Sequence, residues 1–182
     1  QNSGTADEPI TLTNYPGEQA LLRISGAEWD HQVFRCETTL WETPKADYIR
    51  VIGTNVPPST LSNGLTSVKG IVIQGPDLAN NGEHTEAPGF KSAGCDYWEV
   101  AGIDFVDVGY AVFTHKRINE PVARASQSAD YWHVHDNRVY GFYAESGMQF
   151  NGDHNLVENN ELYKVHNQNF TPWGCQHLNF LG

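Results

Sequence analysis

The chain has 182 residues, 39% of them hydrophobic and 12% aromatic, enough for one domain (1–182) with a sizeable core. Acidic residues outnumber basic ones 22 to 11, for a formal net charge of −11, which argues against nucleic acid as a partner because phosphates require a positive footprint. No run approaches the roughly 18 apolar residues of a membrane-spanning helix, so no membrane span is expected.

The chain begins at Gln1 without an initiator Met, which fits a processed secreted protein or a piece of a longer chain. Cys36, Cys95 and Cys175 are far apart and form no CxxC pair, so a zinc-ribbon reading is poor. One disulfide with a free thiol, or three buried thiols, both stay open.

In chain order, residues 4–26 hold at least two strands, the second ending in Leu22 and Ile24 before Gly26. Residues 27–47 have no register that can be fixed. From Tyr48 onward one phrase recurs: Tyr48–Val56, Tyr97–Phe105, Tyr131–Val139 and His154–Leu162, at offsets of 49, 34 and 23. Each copy opens on an aromatic or polar residue, alternates apolar positions, turns, and ends on a second apolar residue. That is the period-2 pattern of strands too short to bury a face alone. Each phrase is followed by a second short strand: Gly70–Gly75, Tyr110–Phe113, Gly147–Gly152 and His177–Gly182. Their expected inward pairs are Ile71/Ile73, Ala111/Phe113, Met148/Phe150 and Leu178/Phe180. Units of this kind stacking about 4.8 Å apart make an all-β solenoid of about four to six coils. No long stretch keeps a helical period.

The uneven offsets place insertions at roughly 57–67, 76–96 and 114–129. The last two are expected to emerge from one side of the stack and to build its binding surface.

The register sorts the polar residues. Arg50, Glu99 and His133 fall in one outward column, and His135 falls beside Glu158, so these groups read as cross-strand pairs rather than catalysts. Asn137 and Asn160 point inward at a corner, where side-chain amides can bond the backbone of successive turns. Trp98 and Trp132 occupy matching core positions. The candidates left for ligand contact are Tyr143, Glu145 and Gln149, with Trp173 and Tyr140 as rings at or beyond corners. His115-Lys116-Arg117 is the compact basic cluster of an acidic chain and the best candidate for gripping an anion.

The phrases GTADEPITLTNYPGE, DYIRVIG, DYWEVAGIDF, DYWHVHDNRVYGFYAESGMQFNG and HNLVENNEL resemble the right-handed parallel β-helix superfamily, which includes secreted pectate, alginate and chondroitin lyases. The resemblance implies a right-handed parallel β-helix, extracellular location and an acidic polysaccharide as partner. It implies β-elimination, with a Lys or Arg base abstracting the proton beside a uronate carboxylate and Ca²⁺ as a candidate cofactor. On that reading Lys116, Arg117 and His177 carry catalysis, and His115, Tyr143, Glu145, Gln149 and Trp173 bind substrate. The chain departs from the superfamily ahead of its last strand, where Cys175, Gln176 and His177 stand in place of an Asp-x-Asp pair, so no protein metal ligands are assigned. No capping helix precedes the first coil. This suggests an uncapped fragment or other chains stacking on open coil ends, and a competing function: a non-enzymatic adhesive or filament module.

Overall fold

The computed structural model describes residues 3–26, 28, 30–37, 46–61, 64–76, 85–114, 128–141, 146–164, 168–172 and 178–181. These residues form strands and no helix. Accordingly, no helix among them is long and apolar enough to cross a membrane.

Three parallel sheets account for most strands. Sheet A contains β1 (Ile10–Thr13), β4 (Ile49–Ile52), β9 (Trp98–Ala101), β12 (His133–His135), β15 (Asn155–Glu158) and β18 (Leu178–Leu181), in that spatial order. Sheet B contains β2 (Ala20–Arg23), β7 (Ile71–Gln74), β10 (Ile103–Val106), β13 (Arg138–Tyr140) and β16 (Glu161–Tyr163). Sheet C contains β3 (Phe34–Glu37), β8 (Pro88–Ala93), β11 (Tyr110–Thr114), β14 (Ser146–Phe150) and β17 (Gln168–Pro172). The chain visits A, B and C in rotation and lays each new strand beside its predecessor in the same sheet, a solenoid-like path. An antiparallel hairpin, β5 (Asn55–Thr60) and β6 (Thr66–Lys69), interrupts it between β4 and β7 and occupies the insertion expected at 57–67.

The expected register of sheet A holds. Arg50 pairs with Glu99, Glu99 with His133 and Val134 with Val157. Val51, Val100, Val134 and Val157 therefore form one fully buried inward column. The indoles of Trp98 and Trp132 stack beside it with centroids 5.2 Å apart. Their N–H groups donate to Ala46 O and Cys95 O, so neither ring buries an unpaired donor.

The expectation of two strands per coil is corrected to three. The last three phrases bend in their middle at a residue with positive φ, Gly102 (64°), Asp136 (54°) or Asn159 (51°), so each supplies one strand to sheet A and another to sheet B, whereas the first phrase runs from β4 into the hairpin strand β5. Gly102 has a further reason to be glycine: a Cβ there would lie 2.1 Å from Gly53 O. The four "second strands" are consequently not equivalent. β7 lies in sheet B, β11 and β14 in sheet C, and β18 in sheet A. Alternation alone cannot tell one sheet of a solenoid from another, because every sheet shows the same period.

Two further expectations fall with it. β8 lies inside the presumed insertion 76–96, hidden because Pro-Gly-Phe-Lys-Ser-Ala does not alternate. The described strands around the two expected insertions differ, since β7 to β8 passes from sheet B to sheet C and β11 to β12 from sheet C to sheet A, while residues 77–84 and 115–127 themselves lie outside the described residues. In β11 Ala111 joins the core cluster as expected, but so does Val112, in register with Phe90 and Met148, while the buried Phe113 ring lies against Tyr110 outside the main cluster.

The asparagine corner forms as expected. Asn137 Oδ1 accepts from Ile103 N–H at 3.0 Å, and its amide donates to Val100 O and to Asn160 Oδ1. Asn160 repeats the pattern one turn on, accepting from Asn137 N–H and donating to Val134 O. Asp104, fully buried on the outer face of sheet B, is charge-paired by Arg138, which also donates to Thr66 O of the hairpin. Cys36 and Cys95 form a disulfide, resolving one of the two alternatives for that pair.

Candidate functional site

The polar side chains of sheet A gather on its outward face. Strand alternation aims Arg50, Glu99, His133, His135 and Glu158 away from the valine column, and the parallel stack brings them together from four adjacent strands. The cross-strand contacts of the two histidines are diagonal. His133 Nε2 lies 2.7 Å from Glu158 Oε1, and His135 Nε2 lies 3.2 Å from Glu99 Oε1. His135 Nδ1 lies 2.7 Å from Asp136 Oδ2, and the two imidazole centroids are 4.1 Å apart. Arg50 Nε donates to Glu99 Oε2 at 2.5 Å, leaving Oε1 on the histidine side. Partial burial of Glu99 opposes its ionisation, but the hydrogen bonds from Arg50 and His135 outweigh it and hold the carboxyl below the ordinary glutamate value.

Beside this cluster runs an aromatic ladder. Tyr48, Tyr97, Tyr131 and His154 each precede a sheet A strand, and each has φ between 57° and 60°. Their rings stack with centroid separations of 4.5, 4.8 and 4.9 Å. A second ladder fixes the first. Asp96 N–H donates to Asp47 Oδ1, Asp130 N–H to Asp96 Oδ1, and Asp153 N–H to Asp130 Oδ1, at 2.7–3.0 Å. These bonds align each corner on the last and offset the cost of the left-handed backbone that follows. The stacked rings cover one another's faces, so the ladder offers ring edges and phenol hydroxyls rather than open π-faces. Tyr97 and Tyr131 are 41% and 45% exposed, which leaves those edges in reach of a ligand.

Ladder and charged column enclose an open, mainly polar cleft of about 350 Å³, lined by Tyr48, Tyr97, Tyr131, Arg50, Glu99 and His133 and closed on one side by Asp7 and Pro9. Hydroxyls, a guanidinium, a carboxylate and an imidazole converge there. This chemistry suits a ligand rich in hydroxyl groups, and it contains acid and base groups at hydrogen-bonding distance from each other.

Of the residues expected to bind or act on substrate, His115, Lys116, Arg117, Tyr143, Glu145, Trp173 and His177 lie outside the described residues. Gln149 is half-buried on β14 in sheet C, between Phe113 and Thr171, and so belongs to a different sheet from the cleft. Tyr140 lies on sheet B, with Arg138 over its ring and Tyr163 edge-on to it. The register alone reads the sheet A residues as architecture. Their signal was present in the sequence as the dipeptides Asp47-Tyr48, Asp96-Tyr97, Asp130-Tyr131 and Asp153-His154, repeated ahead of each phrase. No family model, curated protein or solved structure matches the chain.

Proposed function

We propose that the chain is a right-handed parallel β-helix protein of the carbohydrate-active kind, secreted, which binds a polysaccharide along the outer face of sheet A. The observation that carries this reading is the cleft of Tyr48, Tyr97, Tyr131, Arg50, Glu99 and His133, whose tyrosine rungs recur at 4.5 and 4.8 Å along the stack. The rotation of the chain through three parallel sheets and the asparagine corner support the superfamily reading. The Cys36–Cys95 disulfide supports an oxidising compartment.

Within this reading the glycan is acidic and its cleavage is lyase-like, by β-elimination, with His115, Lys116 and Arg117 engaging the uronate carboxylates. Arg50, which Glu99 already neutralises, orients hydroxyls rather than supplying net positive charge. The test is a panel of neutral and uronate polymers, with and without Ca²⁺, read by calorimetry for binding and by absorbance of the unsaturated product for cleavage. Arg50→Ala is expected to weaken binding of every glycan bound. Arg117→Ala is expected to weaken only the acidic ones, with circular dichroism unchanged. Absence of binding to any polymer would overturn the reading in favour of a structural or adhesive module.

A further inference from the structure

Among the described residues, Glu99, His133 and His135 each offer one ligand atom, and these atoms all lie within 4.8 Å of one another. We propose that these three side chains, with Glu158 as a fourth, form a binding site for a transition-metal dication of the zinc type. Such an ion would clip β9, β12 and β15 together across sheet A.

The donor set selects the metal class. Two imidazoles and carboxylates suit Zn²⁺ and its neighbours, whereas Ca²⁺ and Mg²⁺ favour all-oxygen shells. The spacing also fits. Zinc bonds of about 2.0–2.2 Å place tetrahedral donors about 3.4 Å apart. His135 Nε2 and Glu99 Oε1 are 3.2 Å apart already, while His133 Nε2 and Glu158 Oε1, at 2.7 Å, would have to separate to admit an ion between them. The backbone need not move, because parallel pairing holds all three strands in register.

The surrounding groups match what a metal-bound histidine requires. With Asp136 Oδ2 2.7 Å from its Nδ1, His135 is oriented by a carboxylate on one nitrogen while the other faces Glu99. A carboxylate behind the distal nitrogen fixes the tautomer and ring plane of a metal ligand and raises its basicity. Arg50 occupies Glu99 Oε2, so Oε1, which faces His135 Nε2, is the oxygen that would coordinate. Glu99 and His135 side chains are only 19% and 20% exposed, so the ion would be partly shielded from water. The three carboxylates outweigh Arg50, so the site carries net negative charge toward the cation.

This inference does not depend on glycan binding. Its test is calorimetric titration of the untagged, metal-stripped protein with ZnCl₂, with CaCl₂ and MgCl₂ as comparisons, and the visible spectrum of a Co²⁺ titration. About one equivalent of Zn²⁺ is expected, with tetrahedral-type Co²⁺ bands and no saturable Ca²⁺ or Mg²⁺ binding. His135→Ala and Glu99→Gln should each lower Zn²⁺ affinity at least tenfold. Asp136→Asn, a positioning change that the corner tolerates, should lower it about 10- to 100-fold while the metal-free melting temperature stays within a degree or two of the parent. Zn²⁺ affinity unchanged in both Asp136→Asn and His135→Ala would overturn the site, as would tetrahedral-type Co²⁺ bands of unchanged intensity and affinity in His135→Ala.

Discussion

His133 Nε2 lies 2.7 Å from Glu158 Oε1, although the backbone register sets His133 opposite Glu99 and Leu156. The side chains reach diagonally because His135 has taken Glu99 Oε1 on the other side. Cross-strand pairs of this kind contribute about 0.2–1 kcal/mol each. A double-mutant cycle on His133 and Glu158, run with EDTA, should return a coupling in that range. The His135–Glu158 cycle should return none, and the reverse result would refute the diagonal arrangement.

The lowered Glu99 carboxyl makes stability pH-dependent in a known direction. Its folded value lies below the unfolded value of about 4.3, so its contribution is present above that pH and is lost as pH falls through the folded value. Urea midpoints measured from pH 6 downward should decline, and Glu99→Gln should flatten the decline over that acid window. An equally steep decline in the variant would exclude Glu99 as its source.

Asn137 has the most concentrated hydrogen bonding of the corner residues. Asn137→Ala leaves Ile103 N–H and Val100 O without their side-chain partner in a buried place, at a cost of about 1–3 kcal/mol for each group stranded. Urea unfolding should therefore show a loss of at least 2 kcal/mol, against less than 0.5 kcal/mol for a change at exposed Glu161, as is usual for surface positions.

Val134, fully buried between Val100 and Val157, tests the inward register directly. Val134→Asp puts an unpaired charge into the core and should abolish cooperative unfolding. A soluble variant with native circular dichroism would invalidate the assignment of inward and outward faces.

The Cys36–Cys95 bridge closes a segment with a sequence separation of 59. In the chain-entropy account a loop of that size is worth about 4 kcal/mol. The double Cys→Ser variant, or dithiothreitol acting on the parent, should lower unfolding stability by about that amount.

Much of the stack was legible in the residues. Offsets of 49, 34 and 23 reproduce the pairings Arg50–Glu99, Glu99–His133 and Val134–Val157, because parallel coils repeat side-chain environment at each turn. The Asn137–Asn160 corner and the Trp98–Trp132 stack followed from that register. The third strand did not, because β8 carries no alternation and the bend inside each of the last three phrases is a single residue with positive φ.

The candidate site was missed for a related reason. In one dimension Glu99, His133, His135 and Glu158 are charges on separate repeats, and register explains them as columns. The sequence by itself determined the parallel β stack, its inward columns and its braced corner, since hydrophobic period and repeat spacing act along the chain. Only the tertiary structure decided that the Asp-Tyr corners align into a ladder, that the histidines exchange carboxylates, and that their donor atoms converge, because rotamers and diagonal reach between coils depend on neighbours 23 to 49 residues away.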